Sequence, residues 1–324
     1  MIIRERETSF DVFRGIAIIA VVSIHTLHFT NEISFLNIST VLYRNSINFA
    51  VPLFLTLSGY FCAKKSYYQK NYLQFLKKQI SKVYIPVIVY SFLLSMILYI
   101  LNPTALGAKL IKIVSCSTIG PYYFIALIMQ FYIILPILKK SFYFVAASFL
   151  VSCAFCTLIF TIRYYLNIEI PLILYAGIFP TWIVFFVYGL YLSEIDINIK
   201  NSILIPLTIV TYLLSNIETL ITYFYFYKIG DAVTAVKITS FMYSLCIITL
   251  LMKNKNIFHN RILSTLGKMS FGIFLIHIPI IMFFSKIFSS SLLLLLFTIA
   301  TTYVIVTVSQ KILPVNVLHL LGFN

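Results

Sequence analysis

What most constrains this chain is a succession of apolar runs, each close to the length of a bilayer crossing and separated by short polar segments. A helix needs about 20 mainly apolar residues to span the hydrocarbon core. Only a helix or a closed barrel satisfies every backbone polar group there. The runs fall at about 10–30, 46–63, 83–101, 121–138, 142–162, 171–193, 203–221, 232–252, 270–288 and 291–313. They predict an all-α polytopic membrane helix bundle of about ten transmembrane helices. Composition agrees: 61% of the 324 residues are apolar and 10% are charged, against about half and about a quarter in soluble domains. Polar surface is too scarce to cover a soluble globule. A soluble enzyme, a disordered chain and a disulfide scaffold are excluded.

The net charge of +15 is distributed as membrane topology requires and not as a nucleic-acid groove would be. With a cytoplasmic N-terminus, seventeen Lys and Arg fall inside: Arg4, Arg6, Arg14, Lys64, Lys65, Lys70, Lys77, Lys78, Lys82, Lys139, Lys140, Lys200, Lys253, Lys255, Arg261, Lys268 and Lys311. Seven fall outside: Arg44, Lys109, Lys112, Arg163, Lys228, Lys237 and Lys286. That bias places both termini in the cytoplasm. The first run carries Asp11 and Arg14 with no small-residue cleavage site after it, so it reads as a retained helix. No repeat and no Pro/Gly/Ser-rich linker divides the chain, which reads as one membrane domain over 1–324. Cys153 and Cys156 lie inside an apolar run, where this spacing stacks two small residues against a neighbouring helix. A redox or metal site would need polar access and activating charge, and no metal is expected.

An ionisable residue in a membrane helix costs about 2.5 kcal/mol or more, so the first helix draws attention. Thr8 stands as a cap with Asp11 three residues on. Arg14 and His25 are 11 residues apart, which at about 100° per residue returns them to one face. Asp11 falls roughly 60° from the first and 40° from the second. At about 1.5 Å per residue, His25 stands about 16 Å above Arg14, half the bilayer thickness. Singly, each has an ordinary explanation: Asp11 complements the helix dipole, Arg14 snorkels to headgroups, and a buried histidine packs. Three on one stripe, in a chain with nine acidic residues, point instead to a polar cavity.

Asp11, Arg14, Gly15 and, with ten residues intervening after the arginine, His25 resemble the first-helix motif of the acyltransferase 3 family, bacterial multi-pass membrane acyltransferases. The run Val51-Pro52-Leu53-Phe54-Leu55-Thr56-Leu57-Ser58-Gly59-Tyr60-Phe61 is similar to the family's Phe-rich segment ending in Ser-Gly-aromatic. The basic loop leading to Pro86 is similar as well, as are Gly120-Pro121-Tyr122-Tyr123-Phe124 through Pro136 and Ser270 through His277. Two departures stand out. Gln79 and Lys82, with Lys78 beside them, occupy the spacing where the family often has two arginines, and Tyr123 stands where a tryptophan is common.

The resemblance implies an O-acyltransferase in the bacterial inner membrane. Its donor would be a cytoplasmic acyl-CoA, acetyl-CoA above all. Its acceptor would be a hydroxyl of a surface polysaccharide or lipid-linked saccharide, of O-antigen or capsule type. Membrane lipids are the other partners, and no cofactor is held permanently. Coenzyme A carries phosphates, for which Arg14, Lys78 and Lys82 offer cations, although any cytoplasmic loop is basic. Ser58 and Gly59 would let the donor approach, or simply pack helices. His25 is the base, because imidazole titrates near neutrality; it either deprotonates the acceptor or carries the acyl group. Asp11 orients Arg14. His28 competes with His25, and His277 either lines the same cavity or only bonds a neighbouring helix, the second being the preferred reading. Glu32 and Glu218 read as solvated carboxylates near the outer face, and His259 and His319 as solvated or terminal. A flippase or other transporter is the alternative, but it would thread polar residues through several spans. A purely structural membrane protein would not need the stripe.

The orientation has a direct check. Reporter fusions after Lys140 and Lys255 should read cytoplasmic, and fusions near Asn167 and Ile229 external. The inverse pattern would overturn the charge-based topology.

Overall fold

The computed structural model describes residues 8–29, 34–64, 71–101, 106–226 and 229–323. Arg4, Arg6, Glu32, Lys65, Lys70 and Lys228, used above, lie outside them. The described chain is helical with no strand: α1 (Thr8–Thr26), α2 (Phe35–Ser46), α3 (Ala50–Lys64), α4 (Tyr72–Gln79), α5 (Ile85–Leu101), α6 (Leu106–Val114), α7 (Tyr123–Ile134), α8 (Phe142–Phe160), α9 (Phe179–Leu192), α10 (Asn201–Phe226), α11 (Ile238–Lys253), α12 (Arg261–Lys268), α13 (Ser270–Phe284), α14 (Ser291–Ile312) and α15 (Val315–Leu321).

Among the described residues, seven helical segments are long and apolar enough to cross a membrane. They contain α1, α2 with α3, α4 with α5, α7, α8, α10 and α14. The others differ from the expected runs in instructive ways. Helices α9 and α11 are apolar but shorter. The run expected at 270–288 is preceded by α12, and α12 and α13 meet at a bend of 79°. Where a helix was expected over 10–30, α1 ends at Thr26, and at its start the helix already includes Thr8, which is therefore not its cap.

The fold packs as two compact units, residues 1–57 with 195–303, and residues 58–194 with 304–324. In the first unit, α1 lies against α12 with backbone touching backbone. A Cβ on Gly15 would stand 2.1 Å from the Leu263 carbonyl oxygen, and one on Gly267 would stand 1.7 Å from that of Asp11. Only glycine on both sides permits this approach. Helix α12 is amphipathic, buries Ser264, Leu266 and Gly267, and is capped by Asn260, whose Oδ1 accepts the Leu263 N–H at 2.9 Å. Phe13 packs edge-on against Phe258, and the Lys255 ammonium lies over the Phe10 ring.

A polar seam joins α2, α10 and α11 elsewhere in this unit. Asn45 Nδ2 donates to Asn216 Oδ1 at 2.7 Å and to Ser215 Oγ at 3.1 Å. Asn48 Nδ2 donates to Asn45 Oδ1 and to Ser240 Oγ. Lys237, counted above among outside-loop cations, is buried, and its ammonium donates to the Ala232 carbonyl at 2.8 Å and to the Thr219 hydroxyl. Glu218 accepts the Thr239 hydroxyl and is half-buried, so it is not the freely solvated carboxylate expected.

In the second unit, α8 and α9 pack along their lengths, with Cys156 buried among them and both Cys153 and Cys156 free. Gln130 on α7 pins the turn before α9, donating to the Gly177 carbonyl at 2.7 Å and accepting the Phe179 N–H at 3.0 Å. Helices α4 and α5 join through a π-turn, Ile80–Tyr84. Pro86 lacks an N–H and its ring clashes with the carbonyl four residues back, so the ladder opens in the turn before it. Lys140 donates to Glu194 at 2.6 Å, and this bond holds the Glu194 carboxyl below the usual carboxylate range.

The α1–α12 contact gives a stability prediction. Gly267→Ala forces two backbones apart and should cost on the order of 1–3 kcal/mol, read as a lower Tm of the detergent-solubilised protein. Gly230→Ala, with no atom within 4 Å of the added carbon, should leave Tm unchanged. Equal Tm values for the two variants would refute the backbone contact.

Candidate active site

The first-unit site is built on α1. Asp11 lies in its first turn, where the helix dipole favours an anion, and is 1% exposed. Arg14, one turn on, donates from Nη1 to Asp11 Oδ1 at 2.9 Å, with its side chain 28% exposed. The carboxylate is thus inside and the guanidinium reaches outward from it. The contact of α12 against Asp11 and Gly15 fixes this turn, so the arginine's root is held by backbone while its tip keeps access to solvent.

At the other end of α1, His25 is the penultimate helical residue and its side chain is exposed. Beside it stands His277 of α13, with ring centroids 5.4 Å apart and the planes tilted by 46°. His277 is fully buried. Its Nδ1 lies 2.7 Å from the Phe274 carbonyl. A carbonyl only accepts, so Nδ1 carries the proton and Nε2 the lone pair. That Nε2 is buried without a hydrogen-bond partner. The expectation that His277 bonds a neighbouring helix is corrected: it bonds the carbonyl of its own helix and turns its ring to His25. No sequence periodicity relates α1 to α13, so nothing in the chain's local pattern could pair these histidines.

His28 lies beyond the helix end and is exposed; its backbone N–H, not its ring, meets Ser291 Oγ at 3.2 Å. Tyr43 OH and Ser23 Oγ are 3.0 Å apart, tying α2 to α1 two residues before His25.

Ser58, Gly59, Lys78 and Lys82 belong to the second unit. Ser58 is half-buried. A Cβ on Gly59 would stand 2.1 Å from the Phe186 carbonyl oxygen, so this glycine serves the packing of α3 on α9. Lys78 is the penultimate residue of α4 and Lys82 sits in the π-turn; both are exposed, with buried Gln79 between them. π-turns recur at functional sites, and here one presents two cations at the polar end of a membrane helix. No group of three or more His, Cys, Asp or Glu able to hold a metal occurs among the described residues.

The asymmetric burial of the Asp11–Arg14 pair gives a second prediction. Removing the cation from beside a buried carboxylate is costly, whereas a neutral amide in place of that carboxylate keeps much of the packing. Arg14→Ala should therefore cost roughly 3 kcal/mol and Asp11→Asn about 1, compared as Tm losses in one detergent. The opposite ranking would mean that Arg14 does not stabilise the carboxylate.

Comparison with known proteins extends this geometry to the whole chain. The sequence model of a family described as an acyltransferase domain matches residues 7–310. No curated protein and no solved structure shows a significant match. The match starts just before α1, so it includes Asp11, Arg14 and His25, and it runs through α13 with His277. With the match covering nearly the whole sequence, the chain belongs to the acyltransferase 3 family and is a multi-pass membrane acyltransferase.

Proposed function

We propose that this enzyme transfers an acetyl group from cytoplasmic acetyl-CoA to a hydroxyl of a cell-surface polysaccharide or its lipid-linked precursor, of O-antigen or capsule type, in the bacterial inner membrane. The observation that carries this reading is the arrangement of α1: a guanidinium anchored on a buried carboxylate near one end, and an accessible imidazole at the other. A phosphate-bearing acyl donor and a hydroxyl acceptor need those two groups.

Arg14 binds the phosphates of coenzyme A through its fork of donors, and Asp11 holds the fork in place. In the second unit, Lys78 and Lys82 are exposed cations with charge suited to a phosphate. Ser58 is a donor contact, whereas Gly59 acts through the helix packing that positions it. His25 takes the proton of the acceptor hydroxyl as its oxygen attacks the thioester carbonyl. The tetrahedral intermediate then collapses, the carbon–sulfur bond breaks, and His25 returns the proton to the departing thiolate.

His25→Gln separates this role from a structural one. Gln keeps a polar side chain of similar reach but is not a base near neutral pH. In a deletion strain carrying each variant at matched membrane levels, ester-linked acetyl on the surface glycan should fall by on the order of a hundredfold or more with His25→Gln. His28→Ala should keep most of it, since His28 lies beyond the end of α1 and its bond to Ser291 is made by the backbone. Normal acetylation with His25→Gln removes His25 from the chemistry.

A further inference from the structure

The unpartnered nitrogen of His277 calls for an explanation. A buried ring nitrogen without a hydrogen bond costs roughly 1–3 kcal/mol, yet His277 Nε2 is left so, while the rest of its ring is fixed. Two imidazoles joined nitrogen to nitrogen by a hydrogen bond of about 3 Å have centroids at close to the 5.4 Å observed between His277 and His25. The Phe274 carbonyl fixes the Nδ1–H tautomer of His277, so the atom available to a neighbour is an acceptor only. His25, at the end of its helix and accessible, has a ring whose terminal torsion is soft.

We propose that His277 is a positioning residue for His25: its Nε2 lone pair accepts the His25 ring N–H and so leaves the other His25 nitrogen unprotonated and facing the acceptor hydroxyl. Free imidazole exchanges between two tautomers, and only the one with its lone pair toward the substrate is a base there. His277 selects that tautomer. During transfer, the acceptor proton goes to the free His25 nitrogen while its oxygen bonds to the thioester carbonyl carbon. The charged ring is held by its N–H bond to His277 Nε2. When the carbon–sulfur bond breaks, that same proton passes to the thiolate, and His277 neither gains nor loses one. Its burial keeps it from touching either substrate, which is why it orients and does not react. The acyltransferase thus uses a neutral orienting partner where hydrolytic triads use a carboxylate, a choice suited to hydrocarbon, where a further buried charge is costly.

This inference rests on His25 being the base, and the experiment separates the two. Membrane vesicles carrying wild type, His25→Gln, His277→Gln, His277→Phe or His277→Asn are titrated with radiolabelled acetyl-CoA, and thioester consumption is followed at matched protein levels. In His277→Gln the amide oxygen takes the place of Nε2 as acceptor, so the rate should stay within about tenfold of wild type. His277→Phe keeps an aromatic ring without an acceptor and should lose about a hundredfold or more in kcat, with KM for acetyl-CoA unchanged. His277→Asn is too short to reach His25 and should fall with Phe, which keeps the test valid if the Phe variant does not accumulate. Near-wild-type rates for Phe and Asn would make His277 a packing residue and overturn the inference. A Gln variant as inactive as His25→Gln would make His277 a proton carrier and overturn it equally. No consumption by wild type, or full activity of His25→Gln, would instead overturn the reading of the previous section.

Discussion

A polar group placed in hydrocarbon must find a partner within the protein, because no water is there to supply one. That constraint organises this molecule. Asn45, Asn48, Ser215 and Ser240 answer one another across three helices. Lys237 is admitted to the interior by a carbonyl and a hydroxyl. Thr208, Thr219 and Thr222 each return their hydroxyl to a carbonyl four residues back on α10. Against that background the buried side-chain nitrogen left without a partner, His277 Nε2, is the one such nitrogen among the described residues. It stands beside the accessible His25.

Glycine supplies the second organising element. The approach of α12 to α1 is closer than any side chain tolerates, and the atoms that meet are Leu263 and Asp11 backbone oxygens with Gly15 and Gly267. Backbone contact is stiffer than contact through rotatable side chains, and it lies in the turn that carries Asp11 and Arg14. A guanidinium is useful for recognising phosphate only if its fork is held. The carboxylate holds the fork, and α12 holds the carboxylate.

The sequence was most informative where chemistry follows from position along one helix. The length of the apolar runs gives the all-helical class, and helical arithmetic puts Asp11, Arg14 and His25 on one stripe. It was less informative where the answer depends on which helices meet. His277 looked like an ordinary membrane histidine because nothing local says that α13 presents it to α1. Lys237 was counted as an external cation because charge counting does not see burial. Gly59 read equally well as a donor contact or a packing residue until Phe186 appeared against it. The bend between α12 and α13 was invisible because hydropathy averages over a turn of backbone. The π-turn before Pro86 was hidden for a related reason: proline signals a disturbed ladder but not how the chain relieves it.

The separation of Arg14 from His25 along α1 is itself a physical statement. Eleven residues of helix set about 16 Å between Arg14 and His25, and a helix is rigid on that scale. An acyl-CoA has a matching division. Its phosphates are too strongly hydrated to enter hydrocarbon, whereas its thioester, carried on a long uncharged arm, is not. On the proposed reading, α1 serves as a ruler. It keeps the phosphates at the end where Arg14 still reaches water and the reacting carbonyl at the end where His25 is accessible. The residues between, Ala17, Ile18, Val21 and Val22 among them, are buried and uncharged, so α1 carries no second charge between Arg14 and His25.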